Sequence, residues 1–220
     1  MKQISKKQKW GPVLIVLLLL CLLGVVAADP YVGGLPLTTV QSGTVSGEVY
    51  MDADNDWWPG TPGPQEVEKT FAAIPDVDDI AWAQLYVSVY CGHMQNNYQG
   101  TVQIEFDGDG DAVFEKPLGT ETLNVPYGYI VTGGNDNSAF PGHGTGEPYK
   151  MVNDHCNRVT SDYLMWYDVT ADITSQQPVA HVVTAAEDGS FDGRIKLITL
   201  VVAYNDGDSD QISYWVNQGH

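Results

Sequence analysis

Apolar and polar residues alternate along much of this chain at the two-residue period of a strand. Thr101-Val102-Gln103-Ile104-Glu105-Phe106 places Val102, Ile104 and Phe106 on one face. It runs into Asp107-Gly108-Asp109-Gly110-Asp111 before Val113 and Phe114, which reads as a hairpin. Val45 to Met51, Ala81 to Cys91, Tyr163 to Thr170, Val179 to Ala186, Arg194 to Tyr204 and Gln211 to Val216 are further runs rich in Val, Ile, Tyr and Trp. In Arg194 to Tyr204, Ile195, Leu197, Thr199, Val201 and Ala203 are expected to share one face and Lys196, Ile198, Leu200, Val202 and Tyr204 the other. Both sets are largely apolar, as in a central strand or one covered by a loop. No long segment repeats apolar residues at helical spacing. One helical turn is expected over Val67 to Ala73, ended by Pro75. Seven or more strands predict an all-β fold, a two-sheet β-sandwich or jelly roll in a single domain. Turn-rich stretches over Asp52 to Gln65 and Tyr127 to Asn157 read as the loops that would carry function.

The amino terminus breaks this pattern. Residues 1–28 hold four of the chain's 10 Lys+Arg (Lys2, Lys6, Lys7, Lys9) and none of its 28 Asp+Glu. An unbroken apolar run from Val13 to Val26 follows, and Val26-Ala27-Ala28 precedes Asp29. A basic start, a short apolar stretch and small residues at its end are the parts of a secretory signal peptide. The run is also shorter than the roughly 20 residues a membrane span needs. The expected product is a single extracellular domain over 29–220 with no stable membrane insertion.

Removing that segment leaves 192 residues with 6 Lys+Arg, 28 Asp+Glu and a formal charge of −22. Such a surface excludes nucleic acid as a natural partner, because phosphate binding needs Lys/Arg clusters, and it invites cations. Asp52, Asp54 and Asp56 form one cluster of alternating acids, Asp107, Asp109 and Asp111 a second, and Asp206, Asp208 and Asp210 a third. Carboxylates at alternate positions of a tight turn can converge on calcium. The first two clusters are the candidate calcium ligands, although none completes an EF-hand loop. The alternative for each is a solvated turn in an acidic protein.

Cys91 and Cys156 are an even pair in a domain read as secreted, for which a disulfide is the default. Zinc is a rival, since His93 follows Cys91 by two residues and His155 precedes Cys156, but the spacing matches no common zinc module, and free or intermolecular thiols are the third reading. No nucleophile elbow or His spacing of a hydrolase is present, so a noncatalytic role is expected. Trp57 and Trp58, with Tyr127 and Tyr129, could stack on sugar or cap the end of a sandwich. Tyr214 and Trp215 point to opposite faces of the last strand. The core position is assigned to Trp215, with the strand's backbone edge meeting a partner; outside the core, Trp215 would itself be the contact.

Tyr31-Val32-Gly33-Gly34, Trp82-Ala83-Gln84-Leu85-Tyr86-Val87, Tyr167-Asp168-Val169-Thr170, Val201-Val202-Ala203-Tyr204 and Tyr214-Trp215-Val216-Asn217-Gln218-Gly219 together resemble a family of secreted proteins of methanogenic archaea, domain of unknown function number 3344. The resemblance covers nearly all of the chain after the signal and carries no assigned chemistry. It implies a cell-surface or envelope protein, and short members look similar to subunits of the tubular sheath of filamentous methanogens. The expected function is therefore a sheath or surface-layer subunit that assembles with itself through strand edges and cation bridges. The alternative is an extracellular module that binds surface polysaccharide.

Overall fold

A computed structural model describes residues 38–53, 62–93, 98–125, 149–155 and 158–218. The chain divides into two compact units, 1–31 and 32–220, and the described residues all belong to the second. They form eleven strands: β1 (Thr38–Val45), β2 (Val49–Ala53), β3 (Glu66–Thr70), β4 (Ile80–His93), β5 (Tyr98–Asp107), β6 (Lys116–Val125), β7 (Tyr149–His155), β8 (Arg158–Asp168), β9 (Val179–Gly189), β10 (Arg194–Tyr204) and β11 (Ile212–Gln218). The fold is all-β, in three antiparallel sheets. Five strands lie in the order β2-β10-β4-β8-β7, four in the order β3-β9-β5-β6, and β1 pairs with β11 alone.

Period-two alternation decides which face each strand buries. On β4, Ala83, Leu85, Val87, Val89 and Cys91 all enter the core, as do Val102, Ile104 and Phe106 on β5. Met165 and Tyr167 of β8, Ala180 and Val182 of β9, and Leu200 and Val202 of β10 join the same apolar cluster. Side chains from the five-stranded and four-stranded sheets thus share one core. Each fully buried Phe, Leu, Ile or Met there contributes about 1.5–3 kcal/mol. β10 is central, between β2 and β4, as its two apolar faces imply. A register shift between Ile195 and Leu197 puts Ile195 on the core face with Ile198, Leu200 and Val202, so strict alternation from Arg194 misplaces that first residue.

The outward face of the five-stranded sheet is apolar too. Tyr86, Trp166 and Val201 form a second cluster, packed by Val49, Trp82, Leu164 and Val216. The β1–β11 ribbon packs here, through Val45 and Tyr214 against Ala203.

Three expectations are corrected. The helical turn over Val67 to Ala73 is strand β3, hydrogen-bonded to β9 with Val67 opposite Val182. Val67 packs on the core while Glu66 and Glu68 face out, a strand pattern that propensity at a short segment does not separate from a helical turn. The stretch Tyr127 to Asn157 is not all loop, since β7 lies within it and pairs with β8. The disulfide is not formed. Cys91 continues the inward series of β4 as a fully buried thiol whose S–H donates to the Val89 carbonyl 3.6 Å away, and Cys156 lies outside the described residues. Its companions in the cluster are apolar, and a buried thiol in that setting packs as a small hydrophobe.

Phe106 is fully buried on β5, within the shared core. Phe106→Ala is expected to cost about 3–5 kcal/mol, read as a lower urea midpoint. An unchanged midpoint would contradict the shared core.

Candidate functional site

The hairpin between β5 and β6 is built around Asp107. Its carboxylate is fully buried, and its two oxygens accept from the backbone N–H groups of Gly110 (2.6 Å) and Ala112 (2.8 Å). Gly110 and Ala112 both have positive φ, 75° and 70°, so the chain reverses tightly and brings residue 115 back toward 107. Asp109 accepts from the N–H of Asp111, and Asp111 from that of Val113. The turn is docked from outside: the Thr174 and Ser175 N–H groups donate to the Gly108 carbonyl, and a Cβ at Gly108 would lie 1.8 Å from the Asp172 oxygen. Lys116 holds the carboxylate of Asp172 at 3.2 Å.

This geometry gathers carboxylate oxygens of Asp107, Asp109 and Glu115 within 4.8 Å of one another. Three carboxylates so close repel one another, and a hard divalent cation with oxygen ligands offsets that repulsion. The cluster could hold such an ion. Two of the three expected ligands, Asp107 and Asp109, are therefore together. Asp111 is not with them; its carboxylate accepts from the Val113 N–H. Glu115 takes its place, and sequence reasoning missed it because the left-handed Ala112 that returns the chain has no sequence signature.

Of the first acidic cluster only Asp52 lies among the described residues. Asp52 sits on β2, where its carboxylate meets Lys69 at 3.0 Å and accepts from the Ala72 N–H at 2.8 Å. Partial burial pushes its pKa up, but the Ala72 N–H and the Lys69 ammonium outweigh that and hold it below the ordinary carboxylate value. Asp52 thus ties β2 to the end of β3. Asp54, Asp56, Trp57 and Trp58 lie outside the described residues, as do Tyr127 and Tyr129. Asp206 and Asp208 cap the N–H groups of Asp208 and Asp210, an ordinary turn.

Trp215 is 66% exposed on β11, and Tyr214 beside it is buried. The core place assigned to Trp215 belongs to Tyr214, which lies under Gly43 of the paired strand, its ring 3.0 Å from where a Cβ there would sit. β11 is also no unpaired strand, since one edge is bonded to β1.

A further charged constellation escaped the sequence. His181 on β9 faces Glu68 of β3 and Glu105 of β5 in register, and its Nδ1 lies 3.1 Å from Glu105 and its Nε2 3.0 Å from Glu66. Only the imidazolium donates to both carboxylates. Burial lowers its pKa, but hydrogen bonds to Glu105 and Glu66 and their charges together raise it above 6.5. Phe114 packs on the ring, with centroids 5.1 Å apart. Three strands distant in sequence supply these partners, so no local spacing reveals them.

Residues 30–220 match the family described as Protein of unknown function (DUF3344), and the chain belongs to that family. No curated protein matches it. Among the described residues, no helix is long and apolar enough to cross a membrane.

Two outcomes test the site and its neighbour. Terbium luminescence on the purified protein should show cation binding that Asp109→Asn and Glu115→Gln each weaken at least about tenfold, while Asp111→Asn leaves it unchanged. Equal effects at Asp109 and Asp111 would contradict the geometry. For His181, the folded pKa lies above the unfolded value, so its stabilisation is complete below about pH 6.5 and is lost as pH rises through the folded pKa. The stability advantage of the wild type over His181→Asn should therefore shrink between acidic and alkaline pH, and the imidazole proton resonances should titrate with a midpoint above 6.5. A midpoint at or below 6.5 would refute the bracketed imidazolium.

Proposed function

We propose that this protein is a noncatalytic structural subunit of a cell envelope, exported by its amino-terminal segment and assembling with copies of itself. The domain in this reading is a two-layer β-sandwich, its five-stranded and four-stranded sheets closing on the shared core. The observation that carries the proposal is the distribution of charge. The chain has 28 Asp+Glu against 10 Lys+Arg, yet the eight residues of β1 and the seven of β11 include no charged side chain. Identical acidic surfaces repel. A neutral exposed ribbon is where two copies can approach without bringing carboxylate against carboxylate.

Calcium at Asp107, Asp109 and Glu115 has the complementary role: it neutralises carboxylates at one turn and so lowers repulsion between neighbouring subunits. Resemblance to sheath subunits points the same way, toward an extracellular paracrystalline layer. Electron microscopy of the purified protein with millimolar calcium and with chelator tests the reading. Ordered hoops, sheets or tubes that form with calcium are the expected result. A protein that stays dispersed under all conditions and is retained on a glycan array would instead be a polysaccharide-binding module.

A further inference from the structure

On the outer face of the five-stranded sheet, beside the carboxyl-terminal end of β11, lies an open groove of about 400 Å³. Its walls are largely apolar, formed by Met51, Tyr86, Leu164, Leu197, Val201 and Val216, and among the described residues no charged one lines it. Four polar residues also line it, Ser88, Thr199, Asn217 and Gln218, and of these Thr199 and Gln218 are each 7% exposed. Thr199 Oγ1 and Gln218 Oε1 are buried and meet no hydrogen-bond partner among the described residues. An unmade hydrogen bond at a buried acceptor is costly, so the groove is incomplete as it stands. It is the size of a ligand site, mostly apolar with a few placed polar atoms. The occupant it calls for is neutral, largely apolar and equipped with an N–H or O–H donor for the Gln218 oxygen.

The chain itself displays such a group. Trp215 is an exposed indole with an apolar body and a single N–H donor. It lies opposite Ser42 on β1, with exposed Ser213 and Thr44 beside it, hydroxyls that can serve Thr199. Tyr214 of β11 packs toward the sheet, so Trp215 faces away from it, into solvent. Among the described residues, knob and groove are both charge-free in a chain of net charge −18, which matches them to each other and not to the acidic remainder of the surface.

We propose that the groove receives Trp215 of a second copy of this chain, about a two-fold axis, so that each protomer fills the other's groove with its indole. On docking, the Gln218 side chain, whose oxygen is closed to solvent in the single chain, turns so that Oε1 accepts from the indole N–H, and the ring packs on Leu197 and Val201. A self-complementary patch of this kind closes as a dimer, the commonest symmetric assembly and the building unit for a larger lattice. The contact rests on the self-assembly reading above and names the surface that performs it.

Sedimentation velocity of the full chain, with circular dichroism on every variant, decides it. The wild type should dimerise. Trp215→Ala should weaken dimerisation at least about thirtyfold with an unchanged spectrum, as truncation of an interface tryptophan does. Trp215→Phe, which keeps a ring and loses the donor, should fall between the two. Leu197→Trp, filling the groove, and Gln218→Met, removing the acceptor, should weaken the dimer from the other side. Trp215→Ala protein that dimerises like wild type overturns the contact, and if it also forms ordered layers the envelope reading stands without it. A wild type that neither dimerises nor forms layers overturns both. A neutral small molecule that co-purifies with the wild type and is lost from Leu197→Trp overturns the proposal by showing another occupant.

Discussion

The domain depends on one apolar layer to which both large sheets contribute. β4 supplies Ala83, Leu85, Val87, Val89 and Cys91 from one side, and β5 supplies Val102, Ile104 and Phe106 from the other. Because side chains alternate strictly along a strand, committing these residues inward commits their neighbours outward. Trp82, Tyr86 and the outer residues of β10 are in that position, and they create a second apolar surface that the β1–β11 ribbon covers in part. The groove is what remains uncovered. The inner core therefore generates the outer patch, because strands with two apolar faces leave the sheet unfinished on one of them.

Acidity is managed by placing few cations with care. Lys69 goes to Asp52, Lys116 to Asp172, and Arg194 to Asp192. Arg194 and Lys196 also lie over the Tyr90 ring, at 4.8 and 4.9 Å. A histidine is recruited as a further cation by Glu66 and Glu105. Apart from the local Arg194–Asp192 pair, these join separate segments: β2 to the end of β3, the start of β6 to the loop before β9, and β3 to β9 and β5. Partly exposed pairs of this kind contribute little energy individually, so their value lies in holding register at sheet edges where like charges would otherwise meet.

How far the sequence could be read follows from which of these effects is local. Alternation over Thr101 to Phe106 and over Ala81 to Cys91 is local, and the strands there match it. β3 was misread because five residues with Val67 inward fit a helical turn as well as a strand, and its partner β9 lies more than a hundred positions away. Cys91 was read through its count and presumed compartment, whereas its position in the inward series of β4 decides its state. Asp107 and Asp109 were legible as a turn rich in acids; Glu115 was not, because a single left-handed residue at Ala112 sets who faces whom. Tyr214 and Trp215 were correctly placed on opposite faces, but the choice between them rested on Gly43, contributed by β1 across the pair.

That last choice connects the fold to its proposed use. A glycine at position 43 leaves room for the Tyr214 ring beneath the ribbon, and with Tyr214 buried the alternation of β11 forces Trp215 outward. Putting the indole outside forgoes the hydrophobic stabilisation of burying a large aromatic in the monomer. The same strand ends in Gln218, whose buried oxygen meets no donor among the described residues, so one segment both withholds an apolar group and leaves that acceptor unmet. Each is a cost to an isolated domain, and one neutral contact with another copy removes both. In a chain of net charge −18, confining the proposed attraction to such a patch favours that approach over those that bring carboxylates together.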